Sequence, residues 1–395
     1  MNVGIYLLNA PAEVGGGFTF EQEVLEGILE HEATHRHQFT AFSHAPELRC
    51  RSASDVRHVS LSADSRSSRL SWFKKIRSRA VPQELNTDAL VADSGIDILL
   101  NLAPWKTLAW DIPYISFVWD LMHRSHPYFP EVSHGRVWEG RERDFATVLR
   151  RAAIVITGTQ VGQEEIERFY GLSRDRIRLL PHPTPRFALA SPSPGIRVTN
   201  VRVPKEYILY PAGFWPHKNH ANLLLALVNL REKHGLRVPL VFVGSDQGNR
   251  SFIEEKIRTH GLQSQVHILG FLPREDLVAL YRNALSLCYT SFSGPENFPP
   301  LEAFGLGCPV IASRIPGAQE QLGDAALLVD PSNPDEIAEG ILTFLRNPEL
   351  RLQYVERGRK RADRFTTRDF VKNLFGIFDE LEPIRRAWGK NARFK

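Results

Sequence analysis

The sequence predicts an α/β protein of two domains, each a parallel sheet with helices on both faces. Its 395 residues exceed what one hydrophobic core ordinarily organises. Short apolar runs alternate with longer helical stretches twice over, the pattern of parallel sheets. Between the two series, PRFALASPSPGIRVTNVRVPKE (185–206) has Pro, Ser and Gly but no apolar period, and reads as an interdomain linker.

Taken in order, the first series predicts strand 2–8, helix 19–31, strand 37–43, a helix near 83–92 and strands 96–101 and 114–119. Helix 136–151, strand 153–157 and helix 160–169 complete it. The second opens with strand 207–212 and a helix after Asn219 that places Leu223, Leu227 and Leu230 on one face. Strand 238–244, helix 251–261, strand 266–269, helix 275–284 and strand 285–290 follow. Proline suits a helix start, where the amide hydrogen it lacks has no partner, so Pro299 and Pro300 launch a helix to about Gly307. Strands 309–313 and 326–330 come next, and helical pattern from 333 to about 382 closes the chain.

Composition narrows the class. With 43% hydrophobic and 24% charged residues the chain is ordinary globular protein, and a formal net charge of +4 does not point to nucleic acid. Cys50, Cys288 and Cys308 are too few and too scattered for a disulfide or zinc framework and fit a reducing compartment. The start, MNVGIYLLNA, reads as a strand rather than a secretory signal, and no apolar run approaches the roughly 20 residues that span a bilayer.

Four passages carry chemistry. GPENFPPLEAFGLGCPVIAS, from Gly294 to Ser313, places Glu302 in the first turn of a helix at the carboxyl edge of a sheet, where open α/β proteins bind phosphorylated ligands. A carboxylate there also gains from the helix dipole alone. Gly15, Gly16 and Gly17 follow the first strand and let backbone amides approach an anion, though a plain tight turn uses glycine too. In YPAGFWPHKNHANLL, Lys218 opens a helix and adds a point charge to its amide donors. In WDLMHRSHPYFPE, Asp120 emerges at the end of a strand, with His123 and His126 just downstream. That histidine spacing resembles two ligands of a metal site, but no third is evident.

These passages, with LVFVGSD, VHILGFLPREDLVALYRNA and GDAALLVDP, resemble glycosyltransferase family 4, the retaining GT-B enzymes of glycosyl transferases group 1. The likeness covers nearly all of residues 200–370 and, more loosely, the first 190. It implies two Rossmann-like domains facing each other across a cleft: an acceptor-side domain at 1–190, a nucleotide-sugar domain at 204–371, and a last helix, about 372–395, crossing back to the first. It implies that Gly16 and Gly17 face the donor diphosphate, that Lys218 and Asn219 are the family's KN pair, and that Gly244 lies in the donor site. Backbone atoms near Phe271 and Leu272 would meet the base, and Glu302 the ribose hydroxyls. Glu296, Asn297, Phe298 and Pro299 would complete the donor loop, with Asp120 and Lys218 as catalytic residues.

The chain departs from the family at three places. Gly294 stands where a sugar-contacting glutamate is usual, with Glu296 and Asn297 close enough to contribute. Ala212 and Gly213 stand where many members carry a diphosphate-binding arginine, a role left to His217 or another basic residue. Trp119 stands where a histidine is usual, leaving acceptor or phosphate contacts to His123 and His126.

The implied activity is retaining, metal-independent transfer of a hexosyl group from a nucleotide-diphosphate sugar to a glycan or lipid-linked acceptor, in cell-surface polysaccharide or glycoconjugate synthesis. No carboxylate pair of the glycosidase kind is assignable, so the resemblance implies a same-face reaction in which the departing phosphate takes the acceptor's proton. SRSSRLSWFKKIRSRAVP interleaves Arg66, Arg69, Lys74, Lys75, Arg77 and Arg79 with Leu70, Trp72, Phe73 and Ile76. This suits an anionic membrane surface and hence a lipid-linked acceptor; a solvated basic loop is the other reading. The location expected is cytoplasmic or peripheral at the inner membrane face. A non-catalytic GT-B subunit that binds nucleotide sugar is the alternative, opposed by the presence of both Lys218 and Glu302. A GT-B epimerase or phosphorylase fits the motifs less well.

Overall fold

The computed structural model describes residues 1–9, 11–12, 15–32, 35–45, 47–48, 56–61, 91, 94–103, 110–190 and 203–389. The first half runs β1 (Asn2–Tyr6), α1 (Gly16–Glu32), β2 (Gln38–Ser43), β3 (Arg57–Ser60), β4 (Ile98–Asn101), β5 (Tyr114–Phe117), α2 (Met122–Ser125), α3 (Pro130–Ser133), α4 (Val137–Arg151), β6 (Ile154–Thr157), α5 (Gln160–Tyr170), β7 (Ile177–Leu179) and α6 (Arg186–Leu189). Its strands form one parallel sheet in the order β3-β2-β1-β4-β5-β6-β7. The second half runs β8 (Ile208–Pro211), α7 (His220–His234), β9 (Leu240–Val243), α8 (Arg250–Thr259), β10 (Val266–Ile268), α9 (Arg274–Asn283), β11 (Ser286–Tyr289), α10 (Phe298–Leu306), β12 (Val310–Ser313), α11 (Ala318–Leu322) and β13 (Ala326–Val329), then α12 (Pro334–Arg346), α13 (Pro348–Ala362) and α14 (Thr367–Arg385). Its parallel sheet has the order β10-β9-β8-β11-β12-β13.

Central strands are covered on both faces, which is why they read as unbroken apolar runs: Leu240–Val243 and Ser286–Tyr289 are buried at every residue. Leu223, Leu227 and Leu230 of α7 are fully buried. Two strands escaped the sequence reading. β3 and β7 are edge strands of four and three residues, partly exposed, and each lacks an apolar run. α1 begins at Gly16, three residues before the expected start, so Gly16 and Gly17 form its first turn and Gly15, at φ 85°, is the loop residue. The linker opens as α6 instead of loop. The helix expected near 83–92, apart from Val91, the basic stretch 66–79 and Cys50 lie outside the described residues.

Chain reversal in each sheet falls between its first and fourth strands, β1 and β4 in one, β8 and β11 in the other. Loops leaving those strands diverge and open a crevice at the carboxyl edge. α14 crosses back to the first domain, where Phe370, Val371, Leu374, Phe375, Ile377 and Phe378 join its core beside Phe20, Val24 and Ile28 of α1. The Glu23 carboxylate, buried under this crossing, accepts from Thr367 Oγ1 at 3.0 Å and from the Arg186 backbone N and Nε, both at 3.1 Å. One side chain thereby ties α1 to both segments that pass between the domains. A further tie runs from α11: Glu320 accepts from the Gln160 and Val161 backbone amides at 2.6 and 3.3 Å.

α1 and α14 touch at Gly27, where a Cβ would lie 2.6 Å from Thr367 Cγ2 and 2.9 Å from Val371 Cγ2. Gly27→Ala is therefore expected to destabilise the protein by about 1–3 kcal/mol. Chemical denaturation checks this, and unchanged stability would contradict the close helix approach.

Candidate active site in the interdomain cleft

A cavity of about 800 Å³ lies between the domains, lined by the loops and helix starts that follow β1, β5, β8, β9 and β11. Most residues named from sequence reach it: Gly16, Gly17, Asp120, His217, Lys218, Gly244, Phe271, Leu272, Glu296, Asn297, Phe298, Pro299 and Glu302 all line it. Three do not. Asn219, at φ 57°, is buried and donates through Nδ2 to the carbonyls of Thr290 (2.9 Å) and Pro331 (2.7 Å), so it braces the turn that presents Lys218. His123 is fully buried, stacked on Phe145 with ring centroids 5.5 Å apart and 3.1 Å from Tyr170 Oη. Burial pushes its pKa down to about 4, making it a neutral core histidine. His126 is held beside Ser125, Tyr128 and Phe129, outside the cavity lining.

On the second-domain side, Lys218 Nζ lies 3.3 Å from Asn297 Oδ1 and 5.3 Å from the Tyr289 ring centre. Among the described residues no carboxylate pairs with it. Its charge is thus available to an anion entering the cleft. Glu302, buried, accepts a 2.7 Å hydrogen bond from Tyr281 Oη; burial raises its pKa to about 7, with Tyr281 and Arg274 pulling the other way. Pro299 and Pro300 fill two first-turn positions of α10 and remove their amides. An anion there meets the helix dipole more than hydrogen-bond donors.

On the first-domain side, the loop after β1 is fixed by Glu21, whose carboxylate accepts from the Leu8 and Asn9 amides at 2.8 and 3.0 Å. Gly16 and Gly17 present first-turn amides that have no helical partner. Asp120 is charged: burial acts to raise its pKa, but the Arg141 guanidinium at 2.6 Å and the Met122 amide at 2.9 Å hold it below the usual range. Arg141 comes from α4, beyond the two short helices α2 and α3, and carries no local motif.

Contacts from both sides cross the cleft. Glu131, on α3, accepts from the His217 backbone N at 2.9 Å and Nδ1 at 2.7 Å. His217 is neutral, its pKa pushed to about 4 by burial and by Lys218, so it supplies no cation in place of the absent arginine. The other basic residues on the lining are Arg141, engaged with Asp120, and Arg274, packed over the Phe187 ring at 5.0 Å. Glu296 reaches the first domain, accepting from the His182 amide at 2.7 Å. Its Oε2 occupies the space a side chain at position 158 would need, 1.5 Å from where a Cβ on Gly158 would sit. Phe298 stacks on His182, centroids 5.0 Å apart and rings 3° from parallel, and joins the first domain's core. Glu296 and Phe298 are thus interdomain anchors at the rim of the cavity. Neither role is readable from a loop sequence, because both partners come from the other domain.

Two facing Rossmann-like domains with a crossing terminal helix and a cleft at both switch points define the GT-B class. Residues 196–361, the part bearing Lys218 and Glu302, match the family model for glycosyl transferases group 1. The chain is 28% identical over 233 residues to the O-antigen chain mannosyltransferase B of Escherichia coli, covering 57% of this chain and 60% of that protein's length. In structure it is similar to sucrose-phosphate synthase from Thermosynechococcus elongatus, with TM-score 0.73, 18% identity, and 97% and 100% of the two chains covered. It is similar also to Anabaena HepE solved with UDP and glucose, with TM-score 0.71, 16% identity, and 96% and 100% covered. Among the described residues no helix is long and apolar enough to cross a membrane.

Burial raises the Glu296 pKa from 4.5 to about 8, with the His182 amide opposing and Glu320 reinforcing. Because the folded value lies above the unfolded one, the stability linked to its protonation is present below pH 4.5 and lost as pH rises through 8. Glu296→Gln cannot ionise and keeps an acceptor for His182. Its stability relative to the parent should rise between pH 5 and pH 8 by on the order of a few kcal/mol. A pH-independent difference in urea unfolding would contradict the burial of this carboxylate.

Proposed function

We propose that this protein is a retaining glycosyltransferase that moves a hexosyl group from a nucleotide-diphosphate sugar to a glycan or lipid-linked acceptor. The observation that carries the reading is the convergence, in one interdomain cavity, of a lysine with no carboxylate partner among the described residues, two sets of helix N-termini and a buried glutamate held by a tyrosine. The names of the relatives and of the UDP-bound neighbour support a nucleotide-sugar donor. Glu302 would accept hydrogen bonds from the ribose, and Phe271 and Leu272 would border the base. Lys218 and the Gly16 and Gly17 amides would neutralise the diphosphate.

In the proposed reaction the bond between the anomeric carbon and the diphosphate oxygen breaks, and an acceptor hydroxyl forms the new bond on the same face. Its proton passes to the departing phosphate oxygen, so no protein nucleophile is required. Charge grows on the leaving group, and Lys218 acts there more strongly in the transition state than in the ground state. Asp120, held ionised and oriented by Arg141, faces the region where positive charge develops on the sugar. Domain closure through Glu131–His217 and Phe298–His182 would exclude water. No metal is required by these roles. The acceptor-side assignment rests on the basic apolar stretch 66–79, which suits an anionic lipid surface.

Removing the Glu302 carboxylate by Glu302→Ala is expected to cost about 1.5–3 kcal/mol of nucleoside-diphosphate affinity. Calorimetric titration with UDP and GDP measures it, and unchanged affinity for both would count against the whole reading. Lys218→Ala should lower kcat by roughly 10²–10³ while leaving the fold intact. Release of nucleoside diphosphate from a panel of sugar donors with extract-derived acceptors checks this, and absence of turnover by the parent protein would favour a binding role.

A further inference from the structure

Away from the cleft, the start of β2 and the closing helix bring together three side chains suited to a metal ion. His35 and His37 stand side by side with ring centroids 4.6 Å apart. Asp379, on α14, lies 3.6 Å from His35 Nε2 and 3.2 Å from His37 Nε2. The ligand atoms of the three fall within 4.8 Å of one another. We propose that His35, His37 and Asp379 bind a divalent transition-metal ion of the zinc type, clamping the closing helix to the first domain.

Three observations support the assignment. His37 has no side-chain exposure, and its Nε2, though 3.2 Å from Asp379 Oδ1, has no hydrogen-bond partner. An unsatisfied buried nitrogen is costly, and a bound cation would accept its lone pair. Ligand atoms at about 2.0–2.2 Å from a tetrahedral zinc stand roughly 3.3–3.6 Å apart, close to the two His–Asp separations. The rings are also set before any ion arrives: His35 packs on Phe375 at 4.4 Å and His37 edge-on to Phe378 at 5.7 Å. A fourth position is open to water, because Asp379 is 39% exposed.

The surrounding charges set the conditions. Arg36 contacts Asp379 at 2.7 Å and Glu382 at 2.9 Å, and Arg386 contacts Glu382 at 3.0 Å. The Met1 amino group lies 3.0 Å from His37 Nδ1 and 3.8 Å from Glu382. For His37 Nε2 to ligate, Nδ1 must carry the ring proton.

Untagged, chelator-treated protein titrated with Co²⁺ at pH 8 should take up one equivalent with the visible absorption of a low-coordinate site, displaced by Zn²⁺, and Zn²⁺ should raise Tm reversibly. His35→Ala, at a partly exposed side chain, and Asp379→Asn should each weaken binding by at least the roughly 10–100-fold that loss of an outer-shell partner costs. Their unliganded Tm values report folding separately. Failure of the parent protein to bind Co²⁺ or Zn²⁺ stoichiometrically, or binding unchanged in both variants, overturns the proposal.

Discussion

The return of the last helix onto the first is the contact from which the geometry of the cleft follows. Each sheet buries its own central strands, so neither needs the other for a core. Among the described residues, α14 and α6 are the segments that pass between them, and both meet α1 at Glu23. A carboxylate sequestered from water requires donors, and here these come from Thr367 and Arg186, the two passing segments. Apolar packing by Phe370, Leu374 and Phe378 supplies the bulk attraction; the polar contact sets the position.

Within the cleft, electrostatics divides into two regimes. Asp120 and Glu131 are partly withdrawn from water but ionised, because Arg141 and the His217 donors outweigh the loss of water. Glu21, Glu296 and Glu302 sit where burial prevails and their pKa values rise to about 7, 8 and 7. Groups of the second kind are destabilising to ionise in the empty protein. For Glu302, donors brought by the ribose of the proposed donor would offset that cost, so part of the binding energy would lie in satisfying an acceptor the fold has already desolvated.

The sheets were legible in the sequence because central strands of a parallel sheet are apolar throughout, and the two series with a linker between them gave the domain layout. What failed to show is local in cause. β3 and β7 are short and half exposed, so Arg57–Ser60 carries no run to detect. The motif residues located the cavity well, since loops after β8 and β11 must converge at a switch point. Individual side chains were harder: Asn219 follows the motif lysine yet turns inward to brace the chain, and His123 lies beside a catalytic candidate yet packs on Phe145. Arg141 and Glu131 had no signal, because each acts on a residue far along the chain, Asp120 in the loop after β5 and His217 in the other domain, and such pairings leave no spacing to read.

The capping of α5 by Glu320 gives the cleft a mechanical character. Thr159 satisfies the Gly162 amide from within the domain, whereas Gln160 and Val161 depend on a carboxylate that belongs to the opposite one. Any rotation that parts the domains must uncap the start of that helix, trading two charge-assisted hydrogen bonds for water. Opening and helix fraying are therefore one event, and the cleft behaves as a detent with a defined resting position instead of a free hinge.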